Sequence, residues 1–136
     1  MLLDTHSFLW FIDGNSRLSQ RARQLIEDPT NERWLSIASL WELAIKHSMG
    51  RLTFAQPFAT LIPEQLQRNS IQMFDITITH LDQVAKLPFH HRDPFDRMLI
   101  AQALVEAIPI ISVDSATVLL KKSQRCTQPS PSGQNI

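Results

Sequence analysis

The sequence predicts an α/β fold, a three-layer α/β/α sandwich around a short, mainly parallel central sheet, on three observations. Met1-Leu2-Leu3, Trp34-Leu35, Ile71 to Ile76 and Pro109-Ile110-Ile111-Ser112-Val113 are apolar runs of strand length. Stretches with apolar residues at helical spacing lie between successive runs, which makes parallel crossover connections the natural pairing. Two of the runs stop abruptly at an acid, Asp4 and Asp114, as strands do where they leave a sheet for its edge.

Taken in order, the first strand ends at Asp4. Thr5 to Ile12 is a helix rich in large apolar side chains, broken by Asp13-Gly14-Asn15. Ser19 caps a helix through Asp28, with Ala22, Leu25 and Ile26 inward and Pro29 beyond. After Trp34-Leu35, Ser36 caps a third helix whose buried stripe is Ile37, Leu40, Trp41, Ala44 and Ile45, ended by Gly50. Phe58 to Arg68 is a weaker helix, entered after Pro57 and strained by Pro63. Ile71 to Ile76 is a strand, and Thr79 with Asp82 makes a capping-box pattern for a helix ending before Pro88. Asp93-Pro94-Phe95-Asp96-Arg97 opens the central helix, with Asp93 as N-cap, Pro94 as first residue and Asp96 in the first turn. The strand from Pro109 follows, then a last helix from Ser115 to about Lys122.

The expected organisation is one folded domain over residues 1–122 and a polar tail over 123–136, whose Gln, Ser, Pro, Thr and Asn content reads as disorder. A chain of 136 residues with 43% hydrophobic content can bury one substantial core. Lys+Arg and Asp+Glu both number 13, so any nucleic-acid contact must come from local features and not from overall charge. The single Cys126 excludes a disulfide framework and fits a reducing, cytoplasmic setting. No run suits a signal peptide or a membrane crossing. With only 3 glycines there is no phosphate-cradling loop, which argues against a nucleotide-driven enzyme.

The chemistry-bearing residues are acids. Asp4 and Asp114 follow directly on strands, at the sheet edge where open parallel sheets bind ligands. Glu42 stands at the border of its helix's buried stripe, and Asp93 with Asp96 at the mouth of the central helix. Each has an ordinary alternative: a turn former, a helix cap, or for Glu42 an ion pair with Lys46 four residues on. Together they suggest a shared cation, because carboxylates gathered in one cleft repel each other unless something neutralises them. An all-oxygen set without Cys favours Mg2+ or Mn2+ over Zn2+, hence metal-assisted hydrolysis. Thr5 and Ser39 can hydrogen-bond to the acids, His6 can line the cleft, and Arg97 can reach a substrate phosphate or pair with a neighbouring acid. Adjacent His90-His91 cannot share one helix face as a metal pair.

The ordered set Leu2-Leu3-Asp4-Thr5-His6, Ser36-Ile37-Ala38-Ser39-Leu40-Trp41-Glu42, His91-Arg92-Asp93-Pro94-Phe95-Asp96-Arg97-Met98 and Ser112-Val113-Asp114 resembles the PIN-domain ribonucleases. More narrowly, it is similar to the VapC-type toxins of bacterial toxin–antitoxin pairs. The resemblance implies that Asp4, Glu42, Asp96 and Asp114 are metal-holding catalytic acids, with Asp93 accessory. It further implies Mg2+- or Mn2+-dependent endonucleolytic cleavage of RNA with water as nucleophile, inhibition of translation, a small cognate antitoxin and a homodimer. Beyond Asp114 the chain departs from the pattern, since no aromatic residue and final apolar strand follow, so an edge strand is missing or the end has diverged. Two rivals are a catalytically inactive PIN-like interaction module and a PIN nuclease in RNA processing, or acting on DNA, without an antitoxin.

Overall fold

A computed structural model describes residues 1–88 and 93–112 of the chain. Asp114, His90-His91, the helix from Ser115, the question of a last edge strand and the tail from 123 all lie outside the described residues. The elements run β1 (Leu2–Leu3), α1 (Thr5–Asp13), α2 (Gln20–Glu27), β2 (Trp34–Ser36), α3 (Ile37–Ser48), α4 (Phe58–Arg68), β3 (Gln72–Phe74), α5 (Ile78–Lys86), α6 (Pro94–Glu106) and β4 (Ile110–Ile111). The four strands form one sheet in the order β3-β2-β1-β4, every pair parallel. The α/β class and the parallel sheet are therefore as the sequence predicts.

The three layers follow from the two-residue period of the strands. Leu3 pairs in register with Leu35 and Ile111, and all three enter one core with Phe8, Ala22, Ile26, Leu43, Ile62 and Leu66 from α1 to α4. Leu2 pairs with Trp34 and Ile110, and these face the other way, onto Leu99 and Ala103 of α6. A strand of two residues can serve both layers because each residue is buried by a different one. On the second layer Phe74 stacks on Trp34 with ring centres 5.7 Å apart.

Short connections make the sheet edge a place where helices begin. Asp4 leaves β1 with its N–H donating to the Ile111 carbonyl at 3.1 Å, and the same residue caps α1. Ser36 closes β2 and caps α3, its hydroxyl accepting from the Ala38 N–H at 3.0 Å. The α1 helix stops at Gly14, whose φ of +66° is the left-handed conformation that glycine adopts most cheaply.

Three sequence expectations shift. The α3 stripe is rotated: Ala38, Ser39, Glu42 and Leu43 are buried, and Trp41 is 61% exposed. The α5 helix is capped by Thr77, not Thr79. Its hydroxyl accepts from His80 N–H, and the His80 ring accepts from Thr77 N–H at 3.0 Å, the part a Glu ordinarily plays. The predicted strand from Ile71 to Ile76 shortens to Gln72–Phe74. Pro63 leaves α4 intact as a helix.

Arg97 ties α6 to the end of α5. Its guanidinium donates to the carbonyls of Val84 and Pro88 at 2.8 Å and of Leu87 at 3.3 Å, where α5 ends. The planar fork suits this task better than an ammonium does. Arg97→Ala is expected to cost about 2–3 kcal/mol of stability, because charge-assisted bonds to half-buried carbonyls are lost. A denaturant titration checks this; an unchanged midpoint contradicts it.

Candidate active site

The described acids come together on one side of the sheet, where α1, α3 and α6 begin or pass. Asp4 is half-buried, and its Oδ1 accepts from the Ser7 N–H at 2.7 Å, which fixes the first turn of α1. The next residue, Thr5, is buried and points at α3. Its hydroxyl lies 2.7 Å from Glu42 Oε1 and 3.0 Å from Ser39 Oγ. A hydroxyl has one proton to give, and the carboxylate is the stronger acceptor, so Thr5 donates to Glu42 and accepts from Ser39. Glu42 is only 5% exposed, and its second oxygen meets Lys46 Nζ at 2.9 Å. The surface ion pair one expects of an i,i+4 Glu and Lys is here the outer half of a buried arrangement. Its inner half is a chain of two hydroxyls.

Glu42 was legible as a border residue, but its depth was not. Burying a carboxylate costs several kcal/mol unless it is paired and hydrogen-bonded, and Thr5, Ser39 and Lys46 together meet that condition. Thr5→Val keeps the shape and removes the donor. It is expected to destabilise the fold by about 1–3 kcal/mol, whereas Thr5→Ser keeps most of the stability. Equal denaturation midpoints for wild type and Thr5→Val contradict this.

The third contribution comes from the start of α6. Asp93 is exposed and caps the helix, its Oδ1 accepting from the Phe95 N–H at 2.9 Å. Asp96 follows in the first turn. Its carboxyl is held above the ordinary value of 3.8, first because the surrounding protein removes water from it, although the residue still reaches solvent. The charges of Asp93, Glu42 and Asp4 push in the same direction, and His6 opposes them. A carboxyl that feels three others, from α6, α3 and the cap of α1, is evidence that these acids share one space. His6 is exposed on α1, its ring edge-on to Trp10 at 6.1 Å.

The convergence is one of fields, not of ligating distances. Among the described residues no group of three or more His, Cys, Asp or Glu side chains is drawn together closely enough to hold a metal ion as it stands. The reason is visible in the partners. Asp4 is turned to its own helix cap, Glu42 to Thr5 and Lys46, and Asp93 to its helix cap. The donor chemistry still fits a hard divalent cation, because every candidate atom is a carboxylate oxygen. The Lys46 ammonium supplies Glu42 alone with a positive partner. Asp114, the fourth acid of the set, lies outside the described residues. Arg97 points the donors described above at the α5 carbonyls, a structural engagement and no support for a phosphate contact.

A central parallel sheet with a rim of acids at its helix-bearing edge defines a class that sequence comparison names. The PIN domain family model matches residues 1–121, and the chain belongs to the PIN domain family. A more particular similarity is to Ribonuclease VapC16 of Mycobacterium tuberculosis, 31% identical over 58 residues. That match covers 43% of this chain and 41% of the relative, so the two align over less than half the relative's length. No helix among the described residues is long and apolar enough to cross a membrane.

Proposed function

We propose that this chain is a divalent-metal-dependent endoribonuclease and the toxin of a toxin–antitoxin pair, acting on RNA in the cytoplasm. The observation that carries the reading is that Asp4 at the start of α1, Glu42 on α3 and Asp93 with Asp96 at the start of α6 lie near enough to act on one another, so that partial loss of water and the charges of Asp93, Glu42 and Asp4 all raise the Asp96 carboxyl. Such mutual destabilisation persists where a cation is meant to relieve it. Membership of the PIN domain family and similarity to a protein named as a ribonuclease support the same reading.

In this reading Asp4, Glu42, Asp96 and Asp114 hold Mg2+ or Mn2+, with Asp93 as an accessory acid. When bound, the ion would offset the negative charge of a phosphodiester and sharpen water as a nucleophile. The chain's own residues do the rest. Thr5, itself held by Ser39, orients Glu42. The α1 cap holds Asp4 at the strand end. Asp96, whose carboxyl is raised by loss of water and by its acidic neighbours, is the acid that a bound cation would relieve most. Glu42, now paired with Lys46, would share its carboxylate between that ammonium and a bound ion. A small cognate antitoxin and a homodimer complete the proposal, and inhibition of translation is its cellular consequence.

The test is a panel of labelled RNA and single-stranded DNA oligonucleotides incubated with Mg2+, Mn2+ or EDTA. Cleavage of RNA only, abolished by EDTA, is the expected result. Cutting that persists in EDTA or is indifferent to sugar contradicts it. One observation favours a rival: Glu42 is already fully partnered by Thr5 and Lys46, which suits a catalytically inactive interaction module. That module predicts intact RNA in every tube and no growth arrest on expression.

A further inference from the structure

Beside the acids lies an aromatic pair that the proposed hydrolysis does not use. Trp41 immediately precedes Glu42 on α3, and Phe95 immediately precedes Asp96 on α6. The two rings meet edge to face, with centres 5.4 Å apart and planes at 84°. The contact places Trp41 at the rim shared by two of the acids and restrains its ring. Yet Trp41 is 61% exposed. Other large apolar residues left open, Met49, Met73, Ile78 and Leu81, sit elsewhere, after α3, on β3 and on α5. A tryptophan turned away from its helix's buried face of Ala38, Ser39, Glu42 and Leu43 contributes little to the core, so its place calls for another explanation.

Electrostatics narrows what that is. The chain has no net charge to attract phosphate, and the acids beside Trp41 repel it. Among the described residues, Lys46 is engaged with Glu42 and Arg97 with three carbonyls. A nucleic acid held here needs contacts that do not depend on its backbone charge. Aromatic stacking on an unpaired base is such a contact.

Resting on the nuclease reading above, we infer that Trp41, steadied by Phe95, is a stacking platform for one unpaired base of the substrate RNA beside the scissile phosphate. The substrate is then single-stranded at the cut, because a base within a duplex has no free face to offer. Affinity is less salt-dependent than for proteins that bind through Lys and Arg.

Two readouts test this. In cleavage of a short single-stranded RNA with Mg2+, Trp41→Ala is expected to raise KM roughly 5- to 100-fold with kcat little changed, while Trp41→Phe keeps most of the affinity. A substrate abasic at the stacked position loses the same factor with wild type and nothing further with Trp41→Ala. An unchanged KM in Trp41→Ala overturns the inference. So does a loss that Trp41→Phe shares and that accompanies a changed sedimentation coefficient, since the ring then serves a protein interface. The second readout is independent of cleavage: RNA should quench tryptophan fluorescence in wild type, and Trp41→Phe should lose that quenching. Wild type that leaves RNA intact sinks the nuclease reading, while the presence or absence of that quenching still decides the stacking.

Discussion

Asp96→Asn is expected to reduce metal-dependent RNA cleavage by more than the ~10–100-fold that losing an outer partner of a metal site costs. It should do so while leaving the metal-free fold as stable as wild type or more so. Both parts follow from one feature, that this carboxyl is pushed up first by loss of water and then by the charges of Asp93, Glu42 and Asp4. Asparagine removes a member of a mutually repelling set, which relieves the folded chain and deprives a cation of an oxygen anion. Asp4 separates the two roles differently. Its carboxylate also caps α1 through the Ser7 N–H, so Asp4→Asn should lose activity and keep the cap. Asp4→Ala should lose both, with about 1 kcal/mol of stability gone. Cleavage rates paired with thermal melts check this, and full activity in Asp96→Asn and Asp4→Asn together removes these acids from the chemistry.

The second large effect is a linked dependence of stability on pH and metal. Asp96 holds its proton to higher pH in the folded chain than in the unfolded one, where the ordinary value is 3.8. Between 3.8 and the raised value the folded state binds more protons, so this group's contribution to stability falls as pH rises through that window and is level above it. Metal-free protein should therefore gain from Asp96→Asn mainly above the window. A cation that binds the ionised cluster reverses the trend. At a hundred times its dissociation constant, Mg2+ or Mn2+ should add about 2.7 kcal/mol at neutral pH, a rise in melting temperature of roughly 10 °C for a domain of this size. The gain should shrink as pH falls into the window, disappear with EDTA, and be small in Asp96→Asn. A melting temperature indifferent to metal at neutral pH contradicts the account.

Much of the fold was legible because local rules and the global pattern agree. Ser19, Ser36 and Asp93 cap the helices they were expected to cap, and the apolar pairs Leu2-Leu3 and Ile110-Ile111 are strands. The misreadings have physical causes. On α3 a search for apolar residues at helical spacing picks Ile37, Leu40, Trp41, Ala44 and Ile45. The chain instead buries Ser39 and Glu42, whose polarity is satisfied by Thr5 and Lys46. Hydrophobic periodicity is blind to a buried polar chain of this kind, and such chains gather at functional sites. The Thr77 cap was missed because His80 does what Glu or Gln does in the familiar pattern. The use of Arg97 depends on where α5 ends in space, which its neighbours in sequence do not reveal. Of the site itself, sequence order named the acids, but that Asp4 and Glu42 already have other partners emerges only from their contacts.

The most direct measurement is the anomalous diffraction map of a crystal grown or soaked with Mn2+. A peak among the Asp4, Glu42 and Asp96 carboxylates is the result the account predicts, with Glu42 shared between Lys46 and the ion. Clear density for those three side chains in their metal-free partnerships, and no peak between them at millimolar Mn2+, contradicts it.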